Sequence, residues 1–267
     1  MDNSDYTLPT TTTILKDYYT DNEAIDHFCD RLQFKKPSWP TTKVGRFAIV
    51  DPDVKDMKRG VDKLWAKLKD ANLPDHMLNN PNANVFNLIT DYARCSILMP
   101  DFREAPALIT NFLQQVGGEV SHHNRDDYKA FHLHTNVNGV NCEFQFHTFD
   151  TYDLKRATDG HYHKWRHAKE RDTKAVEANP EYQAEQNFLR PICRKVYDHS
   201  GFNQALNAIK KIELERSCPA QHMTDNNFIL ILRKAMQLQD DLLQIAKGQL
   251  ELYQMAPEQQ VSHESTK

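Results

Sequence analysis

Along this chain, short stretches of strict apolar–polar alternation give way to stretches with helical spacing, and one alternating pair stands out. Tyr128 to His134 and Cys142 to Thr148 flank the dipeptide Asn138-Gly139, a pattern that predicts a β-hairpin. On its second strand Glu143, Gln145 and His147 share one face, and Cys142, Phe144 and Phe146 the other. Tyr128, His132 and His134 are in phase with one another on the first strand. A carboxylate, an amide and an imidazole in a row suggest the lining of a site. The plainer reading of the strand alone is an amphipathic edge strand with a solvated outer face.

Other segments are read in the same way. Ile14, Tyr18, Ile25, Phe28 and Leu32 predict a helix over residues 11–33, which Pro37 and Pro40 close off. Phe47 to Val50 predicts a short strand ending at Asp51-Pro52-Asp53. A basic helix over 55–69 is expected next, with Val61, Leu64, Trp65 and Leu68 facing inward. Beyond a turn-rich gap at Asn79-Asn80-Pro81-Asn82, a strand is expected from Arg94 to Met99. A helix should follow from Ala105 to Val116, stopped by Gly117-Gly118. A long polar helix should begin near Thr148, and helices are expected over 182–198, 202–216 and 224–254. The last carries Phe228, Ile231, Ala235, Leu238, Leu242 and Ile245 on one stripe, a packing pattern. Residues 259–267 are expected to be disordered.

Together these elements predict an α+β fold: a mixed β-sheet flanked by helices, with a C-terminal helical extension. The chain divides into an N-terminal helical segment (1–44), a sheet-bearing domain (45–175), a helical extension (176–256) and a tail (257–267).

Composition narrows the function. The chain has 267 residues, 39% hydrophobic and 26% charged, and a net charge of −4, which argues against a general nucleic-acid coat. No apolar run approaches the roughly 20 residues needed to span a bilayer. The acidic start Met1-Asp2-Asn3-Ser4-Asp5 is unlike a secretory signal. Five cysteines (Cys29, Cys95, Cys142, Cys193, Cys218) without a C-x-x-C pair suit a reducing compartment, so a cytoplasmic location is expected. Among 13 histidines, His161, His163 and His167 come nearest to ligand spacing, and an exposed histidine-rich helix is the favoured reading of them.

Three elements carry groups that suit phosphoryl chemistry. Lys55, Arg59 and Lys63 are four apart and would form one cationic stripe near a helix start, suited to a polyphosphate. Asp91 and Arg94 stand at the start of the strand Cys95 to Leu98. Glu143 lies on the hairpin. Carboxylates on adjacent strands could hold Mg²⁺, which takes one or two such ligands and completes its shell with phosphate oxygens and water.

At this point the chain resembles the synthetase domain of the RelA/SpoT family, the pyrophosphokinases that make (p)ppGpp and related products. That family reads as a strand, a lysine-containing phosphate loop and helix, Asp with Arg at a strand start, Tyr-x-x-x-His, and Glu-x-Gln-x-(Arg/His)-Thr. Here the matching residues are Lys55 and Lys63, Asp91 and Arg94, Tyr128 and His132, then Glu143, Gln145, His147 and Thr148, in that order. Ala157-Thr158-Asp159-Gly160, with His163 and Trp165, is similar to a further family segment. The resemblance covers residues 45–168.

It implies a nucleotidyltransferase-like domain, with Asp91, Glu143 and Arg94 catalytic and Asp91 and Glu143 holding Mg²⁺. Lys55, Arg59 and Lys63 would bind ATP, and Tyr128, His132, Gln145 and His147 the acceptor. The reaction implied moves the pyrophosphate of ATP to the 3′-hydroxyl of a guanosine nucleotide, an adenosine nucleotide or a tRNA 3′ end. A catalytically silent nucleotide-binding or interaction module of the same fold is the alternative. The expected partners are ATP and a nucleotide acceptor, tRNA included, with no membrane and with self-association through the C-terminal helices. Two positions depart from the family pattern: Asp53 where an arginine is frequent, and Asp127 where a glycine precedes the tyrosine. With residues 1–44 alone ahead of the match, the chain is closer to the small single-domain synthetases and their toxin relatives.

Overall fold

The computed structural model describes residues 41–68, 85–215, 223–225 and 227–255. The helix expected over 11–33 and the tail lie outside the described residues. Six strands form one sheet: β1 (Thr41–Val44), β2 (Phe47–Val54), β3 (Ala93–Met99), β4 (Glu119–Asn124), β5 (Lys129–Val137) and β6 (Val140–Thr148), in the spatial order β1-β2-β3-β6-β5-β4. β3 and β6 run parallel and every other pair is antiparallel, so the sheet is mixed. Helices flank it: α1 (Met57–Leu68), α2 (Ala105–Val116), α3 (Phe149–Arg171), α4 (Thr173–Glu177), α5 (Pro180–His199), α6 (Phe202–Glu215), α7 (Phe228–Gln237) and α8 (Gln239–Met255). The fold is α+β, as the pattern of elements predicted.

The hairpin forms at Asn138-Gly139, both with positive φ (51° and 82°), the primed turn that matches strand twist. β6 is central and not an edge strand. All nine of its residues are buried, which corrects the reading of a solvated outer face. Phe144 and Phe146 join Phe47, Ile49, Ile97, Phe131 and Leu133 on the apolar side of the sheet, under α2, α6, α7 and α8. The C-terminal helices thus share the main core: Ile231, Ala235, Leu242, Ala246 and Leu250 have no exposed surface. The helix expected over 224–254 is two helices, separated at Leu238, whose buried side chain stays in the same core.

Two strands escaped the periodicity. β4 (EVSHHN) has one apolar residue, and β1 is four residues long. β2 also continues through Pro52. A register shift between Val50 and Asp53 inserts an extra residue, the kind of bulge where proline, lacking an N–H, is tolerated in a sheet. Because of that shift Val50 pairs with Ser96 and Asp53 with Arg94, so Asp53 turns to the same face as Val50. On α1, Val61 is 50% exposed instead of inward.

Over the second face of the sheet lies α3. Thr148 caps it through a reciprocal box with Thr151, a device that satisfies two otherwise orphaned groups at the helix start. Its Tyr152 packs on Ala48, Leu98 and Val50. Nδ1 of His161 lies 2.6 Å from Glu185 Oε2, and its Nε2 lies 2.6 Å from Gln186, pinning α3 to α5. The His161 side chain is therefore enclosed in a tie between helices and is no exposed histidine.

Candidate functional site

The second face of the sheet is built in rows by strand register. Asp53, Arg94, Glu143 and His134 lie side by side across β2, β3, β6 and β5. Val50, Ser96, Gln145, His132 and Ser121 form the next row. Ala48, Leu98 and His147 begin a third. Period-two alternation places these side chains on one side, with the register shift in β2 bringing Asp53 to join them.

Glu143 is buried and fully engaged. Its Oε1 accepts from Gln145 Nε2, and its Oε2 lies 3.2 Å from His132 Nδ1 and 3.4 Å from His134 Nδ1. Burial alone would raise its pKa, but His132, His134 and the Gln145 amide outweigh it and hold the carboxyl well below the usual carboxylate range. For His134 burial prevails, and it pushes the pKa down against the pull of Glu143. Tyr128 Oη lies 2.9 Å from His132 Nε2, so its hydroxyl points into the network and not into water. The Tyr128 ring has His147 at 5.9 Å and the Arg125 guanidinium at 5.5 Å. His147 has no exposed surface, and neither ring nitrogen has a hydrogen-bond partner. Burial first, then the nearby Lys155, keeps it neutral. Few buried polar atoms in native proteins go unpaired without a functional reason.

A second cluster forms where β2 ends and β3 begins. Asp56 accepts from the backbone N–H of Arg59 and starts α1 in the manner of an N-cap. Lys55 therefore precedes the helix, and the three cations do not form one helical stripe. Lys55 donates to Asp91 Oδ2 at 3.1 Å, and Lys63 reaches Oδ1 of the same carboxylate. Arg59 is exposed and, among the described residues, no contact joins it to that pair. Burial lowers the pKa of Lys55, helped by Lys63 and opposed by Asp91. Arg94 donates to Asp53 Oδ2 through Nε at 3.1 Å and Nη2 at 2.6 Å. Burial acts against its charge, yet Asp53, Asp91 and Glu143 together raise its pKa.

Asp91 and Glu143 both act electrostatically on Arg94 and on His134. Each carboxylate has its own partners: lysines on Asp91, imidazoles and an amide on Glu143.

Two residues given no site role from the sequence belong to this face. His134 is one. The other is Lys155 of α3, whose Nζ lies 3.4 Å from Gln145 Oε1, and whose pKa is pulled down to about 8 by burial and by Arg94. His134 was legible as in phase with His132. Lys155 was not, since a polar helix face laid on a polar sheet face leaves no hydrophobic contrast to read. The thiols stand apart from this chemistry: burial pushes Cys142 and Cys193 up to about 12.

No family model matches the chain, and no curated protein matches it. Among solved structures, a GTP pyrophosphokinase family protein from Streptococcus pneumoniae overlays 77% of this chain and 92% of its own, with a TM-score of 0.39 and 8% sequence identity. A likeness of that size says nothing about chemistry. The resemblance to RelA/SpoT synthetases rests on this chain's own residues and on where the fold puts them.

Proposed function

We propose that the chain is an ATP-dependent pyrophosphokinase of the RelA/SpoT type. It would transfer the β,γ-pyrophosphate of ATP to the 3′-hydroxyl of a nucleotide acceptor, whether a guanosine nucleotide giving (p)ppGpp, an adenosine nucleotide or a tRNA 3′ end. One observation supports this reading most. Lys55, Lys63, Asp91, Arg94 and Glu143 come from separate stretches of chain and lie towards the end of the sheet where β2 finishes and β3 and β6 begin, and Tyr128, from the opposite end, is linked to Glu143 through His132.

Asp91 and Glu143 supply the hard oxygen donors that Mg²⁺ takes, so their chemistry fits the ion that the resemblance implies. Bound there, Mg²⁺ would neutralise charge on the phosphate oxygens. The chain's own residues do the rest. Lys55 and Lys63, paired with Asp91 here, turn to the triphosphate of ATP, with Arg94 beside them. The acceptor's 3′-oxygen attacks the β-phosphorus, the bond to the α-phosphate oxygen breaks, and AMP leaves. Glu143 is too acidic to be a strong base, so its part is chiefly electrostatic, and the hydroxyl proton passes to the buried His132–Glu143 pair. Catalysis of this kind is largely positioning and charge neutralisation.

Purified protein with Mg²⁺, labelled ATP and each candidate acceptor, resolved by thin-layer chromatography, tests the reading. AMP release with a labelled acceptor is expected. ADP as the sole product overturns it. The second reading, a silent nucleotide-binding module, is favoured by Asp53, which occupies Arg94, and by Asp91, which occupies both lysines. ATP binding without turnover of any acceptor would select it.

A further inference from the structure

His132 and His134 stand two apart on β5, opposite Gln145 and Glu143 of β6. Nδ1 of each ring approaches the same carboxylate oxygen, Glu143 Oε2, at 3.2 Å and 3.4 Å. One donor atom from each of the three residues lies within 4.8 Å of the others, and His132 and Glu143 are 5% and 6% exposed. Hydrogen bonding accounts for half of this arrangement. Nδ1 of His132 is bonded to the carboxylate, but the buried Nδ1 of His134 approaches it out of alignment and has no hydrogen-bond partner. The outer nitrogens, in contrast, are both anchored. Nε2 of His132 is 2.9 Å from Tyr128 Oη, and Nε2 of His134 is 3.1 Å from Ser121 Oγ. With the Tyr128 and Ser121 oxygens able to accept an outer N–H, each ring can turn the lone pair of its inner nitrogen to an ion once the Nδ1 proton is displaced, which is how proteins orient metal-ligating histidines.

From this geometry we infer that His132, His134 and Glu143 form a site for a borderline divalent transition ion of the zinc class. Two imidazoles and a carboxylate are a ligand set that Zn²⁺ takes in open sites, with a further position for water or a phosphate oxygen. The nitrogens select against Mg²⁺, which prefers oxygen ligands. The ion replaces the proton shared between His132 and Glu143, so binding releases protons and weakens as pH falls. The Mg²⁺ of the proposed reaction draws on Asp91 and Glu143. The zinc-class ion requires neither Asp91 nor ATP, and the inference does not rest on the pyrophosphokinase reading.

The test uses the full chain, stripped with a chelator and free of nucleotide. It is titrated with Zn²⁺ by calorimetry and with Co²⁺ while the visible absorbance is followed. One equivalent should bind, Co²⁺ should give the visible bands of a low-coordinate nitrogen–oxygen site, and Zn²⁺ should raise the melting temperature. His134→Gln should weaken Zn²⁺ binding by at least about tenfold and remove the melting shift. Ser121→Ala keeps all three ligands and should weaken binding by about ten- to a hundredfold; it carries the test if His134→Gln does not fold. Absence of saturable binding overturns the inference, as does binding of equal strength in the parent and both variants. Either result would leave a hydrogen-bonded Tyr128–His132–Glu143 relay in place of a metal site. Since neither ATP nor an acceptor enters the measurement, failure here and failure of the transferase reading are seen separately.

Discussion

Glu143 and Tyr128 illustrate at the scale of single residues how one side chain takes on different work according to its neighbours. Glu143 is held ionised in a buried position by two imidazoles and an amide. Glu143→Gln keeps the shape and removes the charge, and Asp91→Asn does the same at the lysine cluster. Each should lower pyrophosphate transfer by at least about a hundredfold, the range for lost electrostatic or acid–base groups. Near-normal turnover in a variant with normal melting would place that residue outside the chemistry. For Tyr128, whose ring has His123, His132 and His147 about it, stacking on an acceptor base would be worth about 1–3 kcal/mol. Tyr128→Ala should then cost roughly ten- to a hundredfold in acceptor use, while Tyr128→Phe keeps the ring and stays near the parent. ATP affinity, measured separately, should change little in either. Equal loss of ATP and acceptor binding in Tyr128→Ala would make the ring structural.

At the scale of elements, α3 decides how closed the site is. Its cap at Thr148 follows directly on β6, so the helix folds back over the face that the strand has just built. The consequence is a half-buried lysine: Lys155 lies against Gln145 with its pKa lowered to about 8, chiefly by burial. In the unfolded chain the same lysine titrates near its ordinary 10.5. The folded protein therefore bears the full cost of a partly buried charge below about pH 8, and that cost fades as pH rises towards 10.5. Lys155→Met should melt above the parent at pH 7, and the gap should narrow as pH rises towards 10. A gap that does not vary with pH would show Lys155 to be solvated. The register shift in β2 is the second decision at this scale. It brings Asp53 onto the site face to meet Arg94, and neither Asp53 nor Arg94 suggests this by its place in the sequence.

For the molecule as a whole, the two faces of one sheet divide stability from chemistry. The apolar face is closed by α2, α6, α7 and α8, and Leu242 of α8 is fully buried there. Leu242→Ala should cost about 2–5 kcal/mol in urea unfolding, the range for a large-to-small change in a packed core. A loss below about 1 kcal/mol would mean that α8 is not seated on the sheet. The glycine between α2 and β4 shows how tightly this side is assembled. Gly118 has φ +116°, and a Cβ there would meet the carbonyl oxygen of His134 at 2.3 Å. The backbone behind the histidine cluster is thus fixed by a close approach that only glycine permits. Among the described residues, no helix is long and apolar enough to cross a membrane.

What the sequence determined by itself was whatever its local pattern encodes. Alternation about Asn138-Gly139 specified the hairpin and put Glu143, Gln145 and His147 on one face, because side chains in a strand must alternate. Apolar spacing and the Gly117-Gly118 stop specified α2 from Ala105 to Val116. Tertiary structure decided what depends on pairing between distant segments. Strand order buried β6 on both faces and set Arg94 beside Glu143 in a parallel pair. It also drew Lys55 and Lys63 onto Asp91 and left Arg59 in solvent. Strands as polar as β4, and a polar helix such as α3 laid over polar groups, carry no hydrophobic contrast. Their places follow from the cores on either side, since local periodicity reports which face of a segment is apolar and not which segment will cover it.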